Sequence, residues 1–151
     1  MNEIEPDDVA LDESELQAAR RAKMQKLMEL GVDPWGQRFD DRSLIGPIRE
    51  RISEIKYRTE DGREIDLPAE LGNEGFDFRA WRAEQGKGEL RGPKVRAAGR
   101  IMLHRDKGKL NFIDIDDWSG RIQLFVGKNQ VGEENWEIVK CLDLGDLIGV
   151  D

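Results

Sequence analysis

Val95-Arg96-Ala97-Ala98-Gly99-Arg100-Ile101-Met102-Leu103, Leu110-Asn111-Phe112-Ile113-Asp114-Ile115-Asp116 and Arg121-Ile122-Gln123-Leu124-Phe125-Val126 are three runs of alternating side chains. Alternation with a period of two is the signature of a β-strand with one buried face. Asp106-Lys107-Gly108-Lys109 and Trp118-Ser119-Gly120 separate the runs and carry turn-forming residues, so the three strands are expected to form an antiparallel meander. In the first run Val95, Ala97, Ile101 and Leu103 fall on one side, with Arg96, Arg100 and Met102 on the other, and Gly99 permits a bulge or bend. In the second, Asn111, Ile113 and Ile115 oppose Leu110, Phe112 and Asp114. In the third, Ile122, Leu124 and Val126 oppose Arg121, Gln123 and Phe125.

Downstream, residues 133–142 read as a helix with Trp136, Val139 and Cys141 or Leu142 inward, and Leu147 to Val150 as a fourth strand. Three antiparallel strands, a helix and a further strand is the order of a small Greek-key barrel of the OB type. The predicted fold is mainly β with α: an N-terminal helical extension followed by an OB-fold β-barrel lacking its fifth strand. A four-stranded barrel leaves an edge that invites pairing with another chain.

Upstream, residues 1–16 hold seven acids and no base, and residues 1–12 lack hydrophobic periodicity, which predicts a disordered acidic arm. Ser14-Glu15-Leu16-Gln17 has capping-box spacing, and a helix is expected from there to a stop at Gly31, with Asp33-Pro34 beyond. Its Arg20, Arg21, Lys23 and Lys26 form a basic stripe that fits either a solvated face or an RNA contact. Leu44, Ile48, Ile52 and Ile55 predict a short helix near Pro47. Residues 69–94 are glycine-rich and acidic and show only one helical turn, at Phe76 to Arg82. The expected division is an arm over 1–12, a helical extension with an insertion over 13–93, and the incomplete barrel over 94–151.

Composition narrows the function. The chain has 151 residues, a formal charge of -8, one cysteine and one histidine. One cysteine forms no internal disulfide, and one of each falls short of a four-ligand zinc site. No run approaches the roughly 18 apolar residues of a membrane span, and the acidic start is unlike a signal peptide, so a cytoplasmic location without membrane contact is expected. Phosphate-binding loops, histidine-pair metal motifs and nucleophile elbows are all missing from the sequence. His104 is expected at the rim of a hairpin, and Cys141 as a small core residue.

Strand parity points to a binding face. With the isoleucines inward, Phe112, Gln123 and Phe125 emerge together on the outside. Two outward phenylalanines fit either packing beneath the N-terminal segment or a stacking platform for unpaired bases, on the strands where OB barrels carry such platforms. A glutamine amide holds donor and acceptor in one plane and suits the edge of a splayed base. Arg96, Arg100, Arg105, Lys107 and Lys109 form a local basic stripe suited to backbone phosphates, despite the acidic total.

Residues 95–102, Arg105, Gly108-Lys109, Phe112, Asp117, Gly120 to Phe125 and Asp143 to Val150 together resemble the anticodon-binding domain of class II lysyl-tRNA synthetases. Arg21, Lys23, Leu27, Gly31 and Pro34 resemble that family's opening helix, whereas residues 40–94 resemble nothing that can be named. The resemblance implies recognition of the lysine anticodon loop of tRNA. It gives Phe112 the role of stacking on the central uridine, and gives Gln123 and Arg105 contacts at the same site. It also implies a homodimer, and ATP and Mg2+ for lysine activation in a catalytic domain that follows. No cofactor is expected on these residues, and the chain is expected to be inactive as a ligase alone. Two other classes fit the same face: a general single-stranded nucleic-acid binder and a protein-interaction module.

Overall fold

The structure, a computed structural model, describes residues 6–151, with side chains from residue 15 onward. Four α-helices are described, α1 (Pro6–Glu29), α2 (Ile45–Glu50), α3 (Phe78–Gln85) and α4 (Lys128–Val139), with a 3-10 turn at Arg51–Glu54 directly after α2. The seven strands are β1 (Lys56–Thr59), β2 (Glu64–Asp66), β3 (Gly88–Arg91), β4 (Ala97–Asp106), β5 (Leu110–Asp117), β6 (Gly120–Gly127) and β7 (Leu147–Val150).

The three long strands and the short last one form an antiparallel sheet in the order β6-β5-β4-β7. This is the predicted OB-type order, a curled half-barrel with α4 between its third and fourth strands. Ile101, Ile113 and Ile115 are buried at its centre, with Ile122, Leu124, Val126, Leu142, Ile148 and Val150 packed around them. The fourth fully buried member is Ile45, which α2 inserts from outside the sheet. Its docking is hydrogen-bonded: Asp117 Oδ2 accepts the Ile45 amide at 2.9 Å, and Ser119 Oγ accepts the Gly46 amide at 2.8 Å. The β5–β6 turn thus satisfies amides that begin the helix, where no intrahelical acceptor exists.

Met102 is the place where the observed strand departs from simple alternation. Ile101 pairs with Ile115 but Leu103 pairs with Asp114, so Met102 is an extra, unpaired residue. A bulge of this kind moves every later side chain to the opposite face. Leu103 is therefore exposed, against the expectation that it faces inward, and the bulge lies three residues beyond Gly99. At Gly99 a Cβ would lie 2.6 Å from the Asp116 carbonyl oxygen, so glycine there serves close strand approach. His104 likewise turns inward from the expected rim position, and its Nε2 lies 2.6 Å from Oδ1 of buried Asn111.

Outside the barrel, α1 begins at Pro6, ahead of the capping box expected at Ser14. Proline suits a first helical turn. The expected acidic arm thus overlaps the helix from residue 6, and residues 1–5 lie outside the described residues. The helix ends as predicted: Gly31 has φ 77°, and the Val32 amide bonds back to the Leu27 carbonyl at 2.9 Å. Lys23 reaches Asp143 at 2.6 Å, so one member of the basic stripe ties the helix to the loop before β7.

Residues 56–91 contain a second antiparallel sheet, in the order β2-β1-β3. The helical reading of this region missed it. Tyr57 is fully buried beneath α3, with Trp81 edge-on at 5.5 Å, and its hydroxyl donates to the Gly86 carbonyl at 2.7 Å. Asp77 caps α3 by accepting the amides of Arg79 and Ala80.

Candidate nucleic-acid interface

The outer face of the half-barrel is a ladder of cross-strand rows. Arg105, Phe112 and Phe125 form one row, in register across β4, β5 and β6. Asp114 and Gln123 form the next, with Leu103 opposite Asp114. Arg100, Asp116 and Arg121 form a third. Residues two apart on a strand share a face roughly 7 Å apart, so the rows sit side by side.

The aromatic row is open to solvent. Phe112 and Phe125 meet edge to face with centroids 5.4 Å apart, and Phe125 is 64% exposed. The Arg105 guanidinium carbon lies 5.7 Å from the centre of the Phe112 ring. Cation–π geometry of this kind keeps a long side chain beside the ring rather than loose in water. The arrangement offers an aromatic surface with a fixed positive charge at its edge.

Beside it, Gln123 Nε2 donates to Asp114 Oδ1 at 2.7 Å. Further along, Arg121 grips Asp116 through Nε at 2.6 Å and Nη2 at 2.9 Å. The Arg121 hydrogen bond holds the Asp116 carboxyl below its ordinary pKa. At the end of the same strand, partial burial works to raise the Asp117 pKa. The Ser119 hydroxyl and the amides of Ile45, Ser119 and Gly120 outweigh it and hold that carboxyl below its usual value.

The predicted site residues divide into two groups. Phe112, Gln123, Phe125 and Arg105 come together on adjacent rows. Lys107 and Lys109 are exposed on the hairpin at the same end, where Asp106 is occupied in accepting the Gly108 amide at 2.7 Å. Arg100 shares the face but stands five residues earlier, roughly 15 Å along the strand, with Nη1 donating to the Gly145 carbonyl at 2.7 Å. Arg96 is not brought to the platform. It precedes β4, packs over the Phe39 ring at 4.2 Å, and pairs with Asp151 at 2.9 Å. Its work is to pin the segment around Phe39 onto the sheet, since the Phe39 ring lies against Gly149.

Asp114 is the site residue to which sequence reasoning gave no role. Its parity already placed it on the outer face with Phe112. The register that sets it opposite Gln123 depends on the length of the Trp118 turn, which alternation alone does not supply.

Comparison with known proteins agrees with this geometry. Residues 95–151 match the tRNA anti-codon family, described as an OB-fold nucleic acid binding domain. Over 135 residues the chain is 41% identical to a lysine–tRNA ligase of Streptococcus suis, covering 89% of this chain and 22% of that protein. A lysine–tRNA ligase of Streptococcus agalactiae serotype V is 36% identical over 135 residues, with the same coverage. One of Latilactobacillus sakei is 36% identical over 131 residues, covering 87% of this chain and 20% of that protein. The chain spans about a fifth of the length of the curated relatives it matches.

Proposed function

We propose that the chain, whose residues 95–151 match the tRNA anti-codon family of OB-fold nucleic acid binding domains, recognises the anticodon loop of a lysine tRNA as part of a lysine–tRNA ligase. The observation that carries this reading is the row Arg105–Phe112–Phe125 beside Gln123 on the open face of the sheet.

In mechanism, an unpaired base stacks on Phe112, with Phe125 closing one side. Such stacking is worth about 1–3 kcal/mol per base and favours no particular sequence. Gln123, one row away, reaches the hydrogen-bonding edge of that base and supplies the selectivity. Arg105, Lys107 and Lys109 take the adjoining phosphates, and neutralising them makes binding weaken as salt rises.

ATP and Mg2+, implied for lysine activation, belong in this proposal to the lysine–tRNA ligase as a whole; among the described residues no group of three or more His, Cys, Asp or Glu is arranged to hold a metal ion. No helix among the described residues is long and apolar enough to cross a membrane, and a cytoplasmic location is part of the proposal.

The test is titration of the chain with anticodon stem-loop RNAs of lysine and other tRNAs, alongside Phe112→Ala and Gln123→Ala. Preference for the lysine stem-loop, lost in Gln123→Ala, supports the reading. Equal binding to all stem-loops and to single-stranded DNA makes the domain a general single-strand binder. Sedimentation of the same samples reports on the homodimer that the resemblance implies.

A further inference from the structure

We propose that Asp114 determines which base the outer face accepts, by fixing the orientation of the Gln123 amide. This rests on the reading of Phe112 and Gln123 as a base-binding pair, and it adds a residue that does not itself touch the stacked ring.

The argument begins with the two groups' hydrogen-bonding capacity. An ionised carboxylate only accepts, whereas a glutamine amide presents an acceptor on one branch and a donor on the other. Asp114 and Gln123 face each other in register, with Nε2 at 2.7 Å from Oδ1. The opposite orientation of the amide would set two oxygens against each other. Asp114 therefore holds the Gln123 amide in one of its two orientations, with Oε1 turned away from the pair as a fixed acceptor.

A fixed acceptor favours a base whose pairing edge offers a central N–H. Uracil offers N3–H there and guanine offers N1–H, while cytosine and adenine present a bare ring nitrogen. Cytosine can meet the fixed Oε1 only through its exocyclic N4 amino group; supplying a donor to its bare N3 would require the amide to turn over, which breaks the bond to Asp114 and places Oε1 against its carboxylate. The discrimination between uracil and cytosine, which have the same ring size and stack alike, is thus set by Asp114 rather than by Gln123 alone. A merely structural role is a poor account of the pair: both side chains stand on the outer face, and the core beneath is closed by isoleucines.

The experiment compares the chain with Asp114→Asn and Asp114→Glu, titrated with a lysine anticodon stem-loop carrying the central uridine and with the same RNA carrying cytidine there. The unaltered chain is expected to prefer uridine by about tenfold or more, the scale of one unmade hydrogen bond. In Asp114→Asn the new partner donates or accepts equally well, so the amide turns freely and the preference falls to within about threefold. The accompanying loss of negative charge is expected to strengthen binding to both RNAs alike, so the fall in the ratio reports the amide's release and not the charge. Asp114→Glu, which keeps an acceptor-only partner, retains most of the preference.

An unchanged ratio in Asp114→Asn overturns the proposal while leaving Gln123 as the reader. Absence of any uridine preference in the unaltered chain overturns the base-reading assignment itself, and this inference with it. Thermal melting of each variant and the dispersion of the Gln123 side-chain amide signals in NMR provide a second readout. An ordered amide that loses its dispersion in Asp114→Asn with an unchanged melting temperature supports a positioning role. Identical amide signals in both proteins contradict it.

Discussion

Arg105 stands directly across from Phe112 in the β4–β5 ladder, its guanidinium carbon 5.7 Å from the ring centre, because Met102 is an unpaired extra residue in the strand that leads to it. Under uninterrupted alternation Arg105 would share the side of Ile101 and point into the core. The bulge turns it outward to the aromatic row. A local irregularity in one strand thereby assembles the positive edge of the platform.

That relationship gives the first prediction. Phe112→Ala is expected to weaken binding to a lysine anticodon stem-loop by about 1–3 kcal/mol, the value of one stacked base. Arg105→Ala is expected to weaken it less and to make the salt dependence shallower, as loss of a phosphate contact does. Both residues lie outside the core cluster. Melting temperatures should therefore stay close to that of the unaltered chain, and fluorescence anisotropy at several salt concentrations separates the two effects.

The second prediction concerns Asp117, whose carboxylate joins the β5–β6 turn to the first amide of α2. Hydrogen bonds to a charged group contribute roughly 1.5–3 kcal/mol, so Asp117→Ala is expected to cost about that much. Protonation has the same direction. A free aspartate binds its proton near pH ~3.9, and the folded group binds it at lower pH. Between the two values the unfolded chain holds more protons, so stability falls as the solution is acidified. The contribution is complete above about pH 5 and disappears as pH drops through the folded value. Urea titrations at pH 7, 5, 4 and 3 should show a shallower acid loss in Asp117→Asn than in the unaltered chain.

A third prediction follows from Cys141, which is 7% exposed on the core side of the chain just after α4. Burial pushes its thiol pKa up, and the neighbouring lysines Lys23 and Lys26 only partly oppose this. The thiolate is the reactive form, so the folded chain should react slowly with a disulfide reagent at pH 8 and rapidly once urea has unfolded it. Equal rates in the two conditions would show that the end of α4 is open to solvent.

What the sequence disclosed, and what it concealed, follows from the length and contrast of its patterns. Within the strands at 110–117 and 120–127, Ile113-Asp114-Ile115-Asp116 and Arg121-Ile122-Gln123-Leu124 alternate apolar with polar residues without a break. Face assignment there had ample signal, and it placed Phe112, Gln123 and Phe125 together. The bulge was invisible because Ile101-Met102-Leu103 are all apolar and no polar residue marks the change of side. The sheet at 56–91 was invisible for the opposite reason. Its strands have three or four residues, most of them charged, and only the burial of Tyr57 and Thr59 in three dimensions reveals their inner face. Arg96 stands apart from the rest of the basic stripe, against Phe39 and Asp151, and nothing local in the sequence distinguishes that placement from one beside Arg105.

Gly149 tests how firmly the segment before α2 is held to the sheet. On β7 a Cβ added at this position would lie 2.7 Å from two carbons of the Phe39 ring. Such a separation is well inside contact distance, and the ring has little room to retreat because the Arg96 guanidinium lies over it at 4.2 Å. Gly149→Ala is therefore expected to displace Phe39 and cost about 1–3 kcal/mol, the usual scale of overpacking. Phe39→Ala relieves the clash while forfeiting the ring's own contacts. The double variant should consequently be more stable than the sum of the two single losses implies. A thermodynamic cycle from urea titrations measures that coupling, and strict additivity would mean that the ring does not rest on Gly149. Because Arg96 leaves β4 at the end opposite Arg105, all four proteins should bind the stem-loop with similar affinity. A loss of binding in Gly149→Ala alone would instead assign Arg96 to the RNA surface.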